Sequence, residues 1–125
     1  MTINPKLLEP TLLWENPNPN SSFSAQNLVL SQNSQNFKYL VLRYKLYMGA
    51  KINGKDGELN RGAEFMQKVD NTIGNGYLIG AESNQAYRVL GVTSYTVVSL
   101  SNTTSSFEAP NQLIIPIDLY GTNIL

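Results

Sequence analysis

The stretch Phe37-Lys38-Tyr39-Leu40-Val41-Leu42-Arg43-Tyr44-Lys45-Leu46-Tyr47-Met48 decides the fold. Leu40, Leu42, Tyr44, Leu46 and Met48 recur at every second position, and successive side chains of a strand point to opposite sides, so these five share one face. That face reads as core. The opposite face carries Tyr39, Val41, Arg43, Lys45 and Tyr47 and is too aromatic for plain solvent surface. Tyr39, Val41, Arg43 and Tyr47 are therefore expected at an interface between subunits.

The same period of two runs outward in both directions. Residues 64–70 alternate, with Phe65 and Val69 inward and Glu64, Lys68 and Asp70 outward. Gly74-Asn75-Gly76 reads as a tight turn into Tyr77-Leu78-Ile79, so these two predicted strands are expected to pair as a hairpin. Residues 86–92 and 95–100 form a second predicted pair joined near Thr93-Ser94. The last predicted strand runs from residue 112 to about 120, with Leu113, Ile115, Ile117 and Leu119 on one face. Pro116 has the other parity and no N–H, so this strand is expected to lie at an edge or to be bulged there. Residues 12–14 and 28–30 add two shorter strands, and no segment carries a helical stripe. Roughly eight strands with turn signals between them predict an all-β fold, an antiparallel, jelly-roll-like β-sandwich. The loops at 16–22 and 101–110 are short, so residues 1–125 read as one domain, with 1–10 an irregular arm.

Composition narrows the chemistry. Charged residues are only 14% of the 125, against about 25% in an ordinary domain. Asn, Gln, Ser and Thr supply the polarity instead, at 40 residues, of which 15 are Asn. Nine cationic and nine acidic residues cancel, and no basic run exists, so neither nucleic acid nor an anionic membrane is an expected partner. There is no Cys and no His, which excludes thiol catalysis, disulfides, Cys/His zinc sites and imidazole triads. No cofactor and no metal are expected. The opening residues lack an apolar h-region, and no run approaches the ~20 apolar residues of a membrane span. Synthesis in the cytoplasm without a signal, and no membrane insertion, are the corresponding expectations.

Several local clusters carry residues with chemical potential. Asn53, Asp56, Glu58 and Asn60 offer oxygens of the kind calcium takes, but Lys55 sits among them and a polar turn needs the same residues. Gly74, Gly76 and Gly80 have the look of a phosphate loop, yet a strand and not a helix follows. Asn20-Ser21-Ser22 and Asn102-Thr103-Thr104 fit the glycosylation pattern and read better as loop composition. A carboxylate-only hydrolase would draw on Asp56, Asp70 or Asp118. For Asp118, pairing with Arg43 or Arg88 is the more economical role. Exposed aromatics among many amides suit a saccharide, whose rings offer apolar faces edged with hydroxyls.

The segment Leu13-Trp14-Glu15-Asn16-Pro17-Asn18-Pro19-Asn20-Ser21-Ser22-Phe23-Ser24-Ala25-Gln26 resembles the "LW-x-N-x-x-P-x-x-x-F-x-A-Q" opening of distal domains in phage tail-fibre and receptor-binding proteins. Those belong to phages and prophages of Gram-positive bacteria. Leu28-Val29-Leu30-Ser31, the aromatic strand 37–45, the arginine strand Tyr87-Arg88-Val89 and the closing "IP-x-x-I/L-Y-G" of 113–121 follow in the matching order. The resemblance covers residues 12–121, with the middle similar only in general character. It implies a trimeric β-sandwich in the virion tail that binds a host cell-wall saccharide without cleaving it. It also implies other tail or baseplate subunits as partners. The ligand contacts are expected in 71–77 and 101–107, at Asn75, Tyr77, Asn102 and Phe107. The alternative is a purely structural baseplate, neck or decoration protein whose partners are other virion subunits.

Overall fold

The computed structural model describes residues 10–47, 59–69, 73–80, 86–105, 111 and 113–123, with the backbone alone described at 46–47 and 59–63. Among the described residues the chain forms nine strands: β1 Thr11–Glu15, β2 Gln26–Val29, β3 Tyr39–Tyr47, β4 Leu59–Lys68, β5 Gly76–Gly80, β6 Ala86–Val92, β7 Val97–Leu100, β8 Thr104–Ser105 and β9 Ile114–Thr122. Sheet A has the order β1-β9-β3-β4 and sheet B the order β2-β7-β6-β5, with β8 on β6 as well. The pairings are antiparallel, and the two sheets pack face to face as an all-β sandwich.

Alternation builds the interior. Leu40, Leu42 and Tyr44 of β3 are buried, as are Leu28, Ile79, Leu90, Val92, Val98 and Leu100 from the facing sheet. Each such side chain contributes about 1.5–3 kcal/mol on leaving water. The chain closes its ends on this core: Trp14 meets Phe23 edge-on at 6.0 Å, and Phe23 is buried.

Two expectations are corrected. The strands on either side of Gly74 are not a hairpin: β4 pairs with β3 in sheet A, and β5 pairs with β6 in sheet B. β3 offers β4 nine paired positions, far more than the five-residue β5 can present. The turn at Gly74 (φ +85°) serves to cross between sheets, and it docks on β6 through Gly74 N–H to Val92 O and Val92 N–H to Asn75 O. That positive φ suits glycine because it has no Cβ to collide.

The second correction concerns β9. It is not an edge strand but lies between β1 and β3, so the bulge is the alternative that holds. The register with β3 shifts after Arg43, which pairs with Asp118, so that Tyr44 pairs with Pro116 and Ile117 is left over. One extra residue flips the pleat. Leu119 therefore points inward together with Pro116 and Ile114, while Ile115 shares the face of Lys45. Asn16 closes the gap: its backbone N–H donates to Ile117 O at 2.9 Å and its Nδ2 to Pro116 O at 2.8 Å.

Candidate functional site

Three groups of polar residues stand out, and only some of them are free to act. The first lies inside. β6 turns Ala86, Arg88, Leu90 and Val92 inward, which places a guanidinium in the core with no exposed surface. Its Nε donates to Ile114 O at 2.8 Å, Nη1 to Ser101 O at 2.7 Å, and Nη2 to Phe23 O at 2.7 Å and Asn111 O at 3.4 Å. The cation also lies over the Phe23 ring, 5.2 Å from its centroid. Burial, with no described carboxylate beside it, pulls its pKa down to about 10, because desolvation penalises the charged form. Four carbonyls from three chain segments use its donors, so Arg88 is a staple and not a ligand site.

Among the residues that carry the resemblance, Phe23 meets both Trp14 and Arg88, Trp14 pairs with Leu119, and Asn16 bonds Pro116.

The second group is the outer face of sheet A. Cross-strand register arranges it in bands. Leu12, Tyr120, Val41 and Met66 form one row across all four strands. Leu12 is 40% exposed and Met66 44%. The next row is Glu15, Asp118, Arg43 and Glu64. On the other side of the apolar row stand Tyr39 and Lys68. Arg43 grips Asp118 as a fork, Nε to Oδ1 at 2.7 Å and Nη2 to Oδ2 at 2.5 Å, and lies over the Tyr120 ring at 5.2 Å. The hydrogen bonds to Asp118, outweighing desolvation, raise the Arg43 pKa well above the ordinary guanidinium range. Asp118 thus takes Arg43 as its partner, while Arg88 takes none of the described carboxylates. With both oxygens held, Asp118 is placed as a structural acid.

The third group is a cleft of about 480 Å³ at the end of sheet A, lined by Gln35, Asn36, Phe37, Lys38, Tyr39, Lys68 and Asn123. Its shape is set locally. Asn33 Oδ1 accepts Gln35 N–H at 2.8 Å and starts a 3-10 turn at Ser34–Asn36, which presents Gln35 and Asn36 outward. Asn123 Oδ1 accepts Lys38 N–H at 3.0 Å, fixing that amide against β3. Phe37 lies directly across Gly121: a Cβ there would come within 2.5 Å of the ring. Only a bare backbone at Gly121 leaves room for the ring beside the cleft.

The residues expected from the sequence to contact ligand are only partly brought together. Asn75 Nδ2 reaches Tyr77 Oη at 3.5 Å, and the Tyr77 ring packs beside Phe65 at 5.9 Å. Both sit at β5, on one edge of sheet B. Asn102 follows β7 towards the opposite edge, where its Oδ1 accepts Ala25 N–H at 2.7 Å and Asn111 Nδ2–H at 3.0 Å. Phe107 lies outside the described residues, as do Asp56, Asp70 and most of the oxygen-rich loop at 53–60. Of the expected interface residues, Val41 and Tyr39 are half-buried and Arg43 is exposed on the outer face of sheet A; Tyr47 is described by its backbone, paired with Leu59. Of the cleft residues, the sequence singles out Tyr39 alone, and as an interface residue; Phe37 and Lys38 belong to the stretch that decides the fold.

No protein-family model matches this chain, and no curated protein sequence matches it.

Proposed function

We propose that this chain is a saccharide-recognition module of a phage virion, a host-attachment domain that binds a bacterial surface glycan without cleaving it. The observation that carries the reading is the cleft at the end of sheet A. It sets amides from Gln35, Asn36 and Asn123 beside the rings of Phe37 and Tyr39. Amides donate and accept at once, matching sugar hydroxyls, and rings match the apolar face of a pyranose. Its volume falls within the range of small-ligand sites, about 300–1,000 Å³. The opening and closing motifs support the phage assignment through resemblance, and the sandwich is the fold that resemblance implies.

The test is calorimetric titration with fragments of cell-wall polysaccharide from Gram-positive bacteria. Binding that is lost in Asn36→Ala and Tyr39→Ala, in folded protein, supports the cleft. Binding lost instead in Tyr77→Ala would move the site to the start of β5. A flat titration across polysaccharides of several hosts would sink the saccharide reading. Release of reducing ends would contradict binding without cleavage.

A further inference from the structure

We infer that the outer face of sheet A is a homotypic contact surface that pairs two copies of this chain about a twofold axis. The order of its bands carries this pairing; Tyr39 and Lys68 also line the cleft, so pairing would cover part of it. Along the strands the face runs from a cationic end, through an apolar row, to an acidic row, beyond which Lys45 is held by Pro19 O and Asn20 Oδ1. Lys68, beside Tyr39, makes the cationic end. Glu15 and Glu64 make the acidic row, since Arg43 and Asp118 between them cancel each other.

A face ordered positive, apolar, negative is complementary to itself. Rotate a second copy by half a turn about an axis lying along the apolar row, and its face comes down upon the first with the strands antiparallel. Met66 then meets Met66 of the second copy, and Lys68 of each copy lies over Glu64 of the other. This is what an isologous interface requires, the same patch used twice. A threefold ring would instead need two different patches, head to tail, on each copy.

The charges also ask for a partner. Among the cations whose side chains are described, Arg43 holds Asp118, Lys45 holds Pro19 O and Asn20 Oδ1, and Arg88 holds four carbonyls. Lys38 and Lys68 meet no carboxylate among the described residues. Glu64 faces Arg43 across the strands, but the Arg43 fork is taken by Asp118. Leu12 and Met66, both long and apolar, stand in water at the two ends of the row.

Size sets the strength. Four strands about 4.8 Å apart and three bands about 6.8 Å apart make a patch roughly 19 Å by 20 Å. Two such patches bury on the order of 800 Å², below the range of stable specific interfaces and within that of weak, transient ones. The pair is therefore a weak, transient one.

The test uses charge exchange and a crosslink. Sedimentation equilibrium from about 10 µM to about 1 mM should show a monomer–dimer equilibrium. Lys68→Glu alone, or Glu64→Lys alone, places like charges together and should weaken pairing at least roughly tenfold. The double exchange Lys68→Glu with Glu64→Lys restores the opposition and should recover most of the pairing. The chain has no cysteine of its own, so Met66→Cys gives a single thiol on the axis. A short bismaleimide should join two copies through it, while Leu78→Cys, 62% exposed on the outer face of sheet B, should not be joined. A trimer in the equilibrium data would overturn the twofold pairing in favour of threefold assembly. A monomer throughout, with no crosslink at Met66→Cys, would also overturn it and leave the apolar row to a different subunit. Single exchanges that pair as well as the parent would show that the charge order plays no part, and would overturn the inference on that ground.

Discussion

Arg43 and Arg88 stand on facing sheets of one sandwich and solve the same problem in opposite ways. Arg88 is wholly buried and neutralised by none of the described carboxylates; carbonyls from three parts of the chain and the Phe23 face surround it. Arg43 keeps nearly half its side chain in water and holds one carboxylate, Asp118, whose own side chain is 6% exposed. The first arrangement is rigid because each lost contact strands a buried polar group. The second is tolerant, because water stands ready to replace either partner. Charge alone does not mark a functional residue; the state of its donors does.

The largest expected effect follows from removing the buried cation. Arg88→Ala should cost about 3–5 kcal/mol, since it opens a cavity and leaves four carbonyls unpaired. Urea unfolding reads this directly, and a loss under about 1 kcal/mol would erase the contrast with Arg43. Arg88→Lys should recover little, because one ammonium cannot reach acceptors that the planar fork joins.

Protons sharpen the comparison. The folded chain holds the Arg88 proton less tightly than the unfolded chain does, since its pKa falls to about 10. The unfolded state therefore binds more protons above that pH, and stability rises with pH wherever that is so. Arg88→Met lacks this gain. The stability gap between the parent and Arg88→Met should widen from pH about 10 towards the ordinary guanidinium range, and stay flat below it. Lys and Tyr titrations are common to both proteins and drop out of the difference.

Smaller effects come next. Asn16→Ala removes the donor to Pro116 O and the acceptor for Asn18 N–H, and should cost about 1–2 kcal/mol in the same assay. A double-mutant cycle on Arg43→Ala and Asp118→Ala should return a coupling of about 1 kcal/mol or less, because Arg43 is well solvated. That coupling should shrink in high salt; one that resists salt would place Arg43 with Arg88. Lys38→Gln should leave the unfolding free energy within about 0.5 kcal/mol of the parent, as expected of an exposed cation that meets no carboxylate among the described residues.

The strands were largely readable because their signal is local. Leu40, Leu42 and Tyr44 announce an inward face by spacing alone, and Pro116 marks a bulge by lacking an N–H. What spacing cannot give is which strand lies beside which, and that is why β5 was misassigned to β4. It also cannot follow a parity change through a bulge, so Leu119 was grouped with Ile115 although they face opposite ways. Arg88 had a readable signal, its place in the inward row with Ala86, Leu90 and Val92, but arginine is so rarely buried that pairing with Asp118 looked as good. The cleft was hidden for another reason. Lys38, Lys68 and Asn123 come from three distant segments, and only the sheet register brings them to one place.

The position of β9 also governs the order in which the molecule can assemble. Sheet B is closed by strands between Gln26 and Ser105, and its β6–β7 pair is a local hairpin. Sheet A has its last strand in the middle, so β1 has nothing to pair with until β9 arrives, and Asn16 must wait for Pro116 across 100 positions of chain. Contacts so remote in sequence form late and slowly. During that interval one whole edge of β3 is an open template for another chain. Sheet B should therefore gain its protection from hydrogen exchange first, and crowded synthesis should endanger this protein through the unclaimed side of β3.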